Sequence, residues 1–104
     1  MVLDKRVFNA RVNKAVIEHF RNLFGPTTVR IINMYLKRYD TSLEKICEEP
    51  VKVSNALHII FEEGANVLER EIVKAAYEAF KLRPKKFENL ETALEKLKDS
   101  AGES

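Results

Sequence analysis

The spacing of the apolar residues constrains this chain most: they recur three and four apart in segment after segment, and no stretch alternates cleanly with period two. In the first segment Phe8, Val12, Ala15, Val16, Phe20 and Leu23 share one stripe, which predicts a helix from about Val7 to Phe24. Gly25-Pro26 ends it, because glycine tolerates the reversal and proline cannot continue the ladder. Thr27 or Thr28 offers a cap to a second helix, whose inward face is Val29, Ile32, Leu36 and Tyr39. A third, short helix opens at Thr41-Ser42-Leu43-Glu44, with Thr41 and Glu44 in capping-box spacing, and carries Leu43, Ile46 and Cys47 before Pro50.

Val53, Ala56, Leu57, Ile60 and Phe61 give a fourth helix, capped by Ser54 or Asn55 or begun with Pro50 in its first turn. Gly64 then marks either a break or a close contact between helices, since glycine inside a helix costs about 1 kcal/mol relative to alanine. Beyond it, Val67, Leu68, Ile72, Ala75, Ala76, Ala79 and Phe80 form the strongest stripe, which Leu82-Arg83-Pro84 ends. Asn89 caps a last helix with Leu90, Ala93, Leu94 and Leu97 inside. The expected fold is all-α, a compact orthogonal bundle of five or six helices. With 104 residues it reads as one domain, 1–104, with a frayed C-terminal tail from about residue 99.

One cysteine, Cys47, excludes an internal disulfide and any multi-cysteine metal site, which favours the cytoplasm. No apolar run approaches the ~20 residues of a membrane span, and none reads as a signal peptide, so no membrane partner is expected.

Catalytic chemistry finds little support. The Glu-x-x-His pairs of a dimetal bundle are absent, since Asn55 stands three before His58 and Val16 three before His19. His58 and Glu62, four apart, read as a surface pair on one helix, and His19 as a partly buried, hydrogen-bonded histidine. Glu48 and Glu49 disfavour a Cys47 thiolate, which leaves that residue as a small hydrophobe. The three glycines are isolated, so no phosphate-cradling loop exists. Glu62-Glu63 and Glu69/Glu71 read as solvated helix faces. The expectation is a non-enzyme with no cofactor and no metal.

Charge is more informative. Residues 1–38 hold eight basic against two acidic residues, a balance of +6, while residues 39–104 hold ten against fourteen, a balance of −4. Arg11, Lys14 and Arg21 fall near one face of the first helix, and Arg30, Lys37 and Arg38 follow on the second. Such a positive half suits either phosphates or an acidic patch on another protein. The tight link Phe24-Gly25-Pro26-Thr27 resembles those of helix-turn-helix units, in which the second helix would present Thr28, Arg30, Asn33 and Lys37 outward.

One stretch carries a family resemblance: Phe61-Glu62-Glu63-Gly64-Ala65, then Val67-Leu68-Glu69, Ile72-Val73-Lys74 and Tyr77, with Ala15 to Phe20 and Phe24-Gly25 upstream. Over roughly residues 12 to 82 it resembles a small archaeal all-helical domain of unknown function, also found as an output module of response regulators (the Nitrosopumilus output domain type). The resemblance implies an all-helical fold and a regulatory or interaction role, and it supplies no catalytic residues. On that footing Gly64 and Ala65 are expected at a helix-crossing contact, within the domain or between protomers. The favoured reading is a protein-interaction domain that docks a partner or itself as a homodimer. The alternative is a nucleic-acid-binding module using Arg11, Lys14, Arg21, Arg30, Lys37 and Arg38.

Overall fold

Helix α1 (Lys5–Phe24) starts slightly before its apolar stripe, because the Asp4 carboxylate accepts the Arg6 amide at 2.7 Å and caps it. The computed structural model describes residues 4–84 and 89–102. Phe8, Val12, Val16 and Phe20 are buried as their spacing predicts, whereas Leu23, expected with them, is half exposed. Gly25 takes φ 90°, a conformation that a side chain would strain, and so joins α1 to α2 (Pro26–Lys37) through one residue. Pro26 occupies the first position of α2, where its missing amide costs nothing, so Thr27 and Thr28 lie inside the first turn and are not caps. Val29, Ile32 and Leu36 are buried; Tyr39, expected beside them, falls in the turn after the helix and is exposed.

The expected third helix shrinks to a single 3-10 turn, Leu43–Lys45. No capping box forms: the Leu43 amide donates to the Asn33 side chain at 2.9 Å, and the buried Thr41 hydroxyl has no partner among the described residues. Pro50 takes the first position of α3 (Pro50–Phe61), which leaves the preceding segment too short for more than one turn. Ser54 and Asn55 therefore do not cap α3.

Gly64 does follow a break. The chain leaves α3 at Glu62, φ 52°, and re-enters helix at α4 (Gly64–Glu78). Within the domain no helix crosses at Gly64: the residue is exposed, and a Cβ added to it would meet only the Phe61 Cβ at 3.8 Å, an ordinary contact. Ala65 is fully buried, and Val67, expected inside, is exposed. α4 closes four residues before Leu82, in a turn through Lys81 at φ 58°. Asn89 caps α5 (Leu90–Gly102) by accepting the Thr92 amide at 2.8 Å. That helix runs through Gly102, with Ala101 packed against the core, so the frayed tail expected from about residue 99 is ordered helix as far as it is described.

The result is an all-α bundle of five helices and one 3-10 turn, with no strand among the described residues. α4 is its axis, packed against α1, α3 and α5, while α2 lies against α1 and α3. The radius of gyration, 13.0 Å, matches the ~13 Å of one compact 100-residue unit. Among the described residues no helix is long and apolar enough to cross a membrane.

Candidate functional site: a basic cleft and an exposed helix face

Three of the six basic residues singled out in the sequence converge. Arg21 from the last turns of α1 and Arg30 and Lys37 from α2 line one cleft of about 530 Å³, closed on its third side by Ser42 and Glu44 at the 3-10 turn. The positions follow from helical spacing: Ile17 and Arg21 are four apart on α1, and Arg30, Asn33, Met34 and Lys37 share one face of α2. None of the three cations makes an ion pair among the described residues. The acid of the cleft wall, Glu44, accepts a hydrogen bond from the Asn33 amide at 3.3 Å. In a concave site where three unpaired cations face one carboxylate, the field is focused rather than cancelled.

The other three disperse. Arg11 stands 5.1 Å from the Phe80 ring centre, in a second cleft with Lys81 and Leu82. Arg38 lies 5.2 Å over Tyr35, past the end of α2, and Lys14 is exposed on α1. The six basic residues of the positive half are thus a cluster of three plus scattered charges. Asn33 is also not an outward-reading residue. Its side chain is half-buried and holds the 3-10 turn at two points.

Beside the cleft, α2 presents an apolar surface to solvent. Ile31 is 44% exposed, Met34 59% and Tyr35 41%, spaced three and four apart on the side away from Val29, Ile32 and Leu36. Tyr39 and Leu23 add exposed apolar area at the two ends of the helix. Sequence reasoning assigned Tyr39 and Leu23 inward and passed over Ile31 and Met34. The signal was present: α2 has more apolar residues than one buried stripe accommodates.

The ionisable side chains elsewhere are arranged differently from expectation. His58 does not pair with Glu62; its Nε2 lies 3.3 Å from Glu69, whose other carboxylate oxygen accepts a short hydrogen bond from the Ser54 hydroxyl. Glu69 is 3% exposed, not a solvated residue, because it falls between Ala65, Leu68, Ile72 and Val73 on the stripe that α4 turns inward. The carboxylate sits between the serine and the histidine, so the histidine does not meet the hydroxyl as a base would. The trio links α3 to α4. His19, half-buried as expected, meets Glu71 at 2.7 Å and joins α1 to the other side of α4. Burial, with Glu48 adding to it, pushes the Cys47 thiol up to about 12, so it is protonated at neutral pH. Among the described residues no three His, Cys, Asp or Glu side chains are grouped to hold a metal.

No family model, curated protein or solved structure matches the chain.

Proposed function

We propose that this chain is a non-enzymatic interaction domain that docks partners through the outer face of α2 and pairs with itself as a homodimer. The observation that carries the reading is the exposure of Ile31, Met34 and Tyr35 on one side of a helix whose other side is fully engaged in the core. Basic residues rim that face, with Arg30 and Lys37 on one side and Arg38 at its end, so it suits an apolar surface bordered by carboxylates. The chain's own remainder, residues 39–104 at −4, has the opposite charge. The resemblance to an archaeal regulatory output domain points the same way, and a chain whose one cysteine can form no internal disulfide suits the cytoplasm.

Sedimentation over a wide concentration range tests this. The expected result is a mass that rises toward the dimer with concentration, and an Ile31→Lys/Met34→Lys variant that stays monomeric with an unchanged helical spectrum. A wild-type chain that remains monomeric at millimolar concentration would remove self-pairing from the proposal.

The convergence of Arg21, Arg30 and Lys37 favours one second reading, a nucleic-acid-binding module. It requires duplex affinity that falls steeply with salt, by about one power of salt concentration for each phosphate neutralised. It further requires that Arg30→Glu and Lys37→Glu weaken binding more than Arg11→Glu.

A further inference from the structure

The cleft between α1, α2 and the 3-10 turn has properties that the docking face does not explain. It is concave, and its volume of about 530 Å³ lies within the range of small-molecule sites, roughly 300–1,000 Å³. Its charge is concentrated in Arg21, Arg30 and Lys37, which have no ion-pair partner among the described residues. Its remaining walls are of a different kind: Ile17 and Met34 supply apolar surface, and Ser42 supplies a hydroxyl.

We propose that this cleft binds a small phosphorylated molecule with an apolar body. Two guanidinium groups and one ammonium suit a phosphate group: each guanidinium offers two parallel N–H donors to a pair of oxygens, and the ammonium adds a point charge. Glu44 would repel such a ligand if it pointed freely into the cleft. The hydrogen bond from Asn33 holds it, and the three cations outweigh its single charge. The start of α2 adds to the field: Pro26 lines the cleft, and no side chain caps the helix, so its first-turn amides meet no side-chain acceptor. The apolar wall decides the size class. A nucleic-acid backbone drawn across the opening would use the cations and leave Ile17 idle, whereas a compact ligand uses both. The site shares Arg30 and Met34 with the edge of the docking face, but the proposal does not rest on docking.

The probes are ATP and inorganic tripolyphosphate, titrated calorimetrically into the full chain at 150 mM salt. Saturable binding at one site is expected, with ATP held more tightly than tripolyphosphate because only ATP has a body for the apolar wall. Arg30→Gln/Lys37→Gln should weaken ATP by about tenfold or more, since it removes two of three charge-assisted contacts. The same charge change outside the cleft, Arg11→Gln/Arg38→Gln, should weaken it less than about threefold by long-range screening alone. Met34→Glu, at an exposed position on the cleft wall, should also weaken ATP binding by about tenfold or more. Ile31→Lys should leave ATP affinity intact even where it abolishes association, which separates this proposal from the docking reading. Absence of saturable binding, equal affinity for ATP and tripolyphosphate, or equal weakening by the two double variants would each overturn the proposal. So would a DNA duplex that binds at the cleft without competition from ATP.

Discussion

Helices α2 and α4 draw on similar residues and end in opposite situations. α4 packs against three other helices and buries eight side chains, from Ala65 to Tyr77, including the carboxylate of Glu69. α2 buries three, Val29, Ile32 and Leu36, and leaves Ile31, Met34 and Tyr35 in solvent. Apolar content does not explain the difference; the number of neighbours does. A helix at the axis of a bundle turns even a polar residue inward, which then has to be matched by hydrogen bonds such as those from Ser54 and His58. A helix at the periphery has apolar residues left over, and those mark the face open to a partner.

The sharpest way to break this comparison is to truncate an isoleucine on each helix. Ile72→Ala should cost about 2–5 kcal/mol, because Ile72 is fully buried and the cavity cannot collapse completely. Ile31→Ala should stay within about 0.5 kcal/mol in the monomer, as exposed positions do. Urea denaturation at low protein concentration measures both. Equal losses would mean that α2 is as deeply embedded as α4 and that its apolar face is not free.

A smaller effect tests the polar side of the axis. Ser54→Ala deletes the hydroxyl that donates to Glu69 and leaves a buried carboxylate oxygen without its donor, at a cost of about 1–3 kcal/mol. Ser42→Ala, at the rim of the basic cleft near α2, lacks any such buried partner and should be close to neutral. If Ser54→Ala is also neutral, the Glu69 cluster is not what fastens α3 to α4.

The same contrast explains what was legible in the sequence. The helices themselves were, because an inward stripe at spacings of three and four depends only on local geometry; Phe8 to Phe20 and Leu90 to Leu97 follow it. The cap by Asn89 and the stop at Gly25-Pro26 were legible for the same local reason. Glu69 was not, although its place between Leu68 and Ile72 was visible, because its partners Ser54 and His58 come from another helix. The short third element was misread because Asn33, ten residues away from Leu43, takes over the capping role expected of Thr41. Of the basic residues, spacing placed each on its helix, but only the packing of α1 against α2 decides which three meet.

Asn33 supplies the finest test, since it stands on α2 between the buried stripe and the open face. Its carbonyl oxygen takes the Leu43 amide at 2.9 Å and its amide reaches Glu44 at 3.3 Å, so it acts inward, in the way Glu69 does on α4. Asn33→Ala should therefore lower stability by about 1 kcal/mol, the usual loss for one such side-chain cap. It should leave the concentration dependence of the sedimenting mass unchanged, because no part of the Ile31, Met34 and Tyr35 surface is removed. The opposite outcome, full stability with association lost, would place Asn33 on the partner-facing side. The boundary between what α2 gives to the core and what it offers outward would then run one residue closer to Ile32 than its burial indicates.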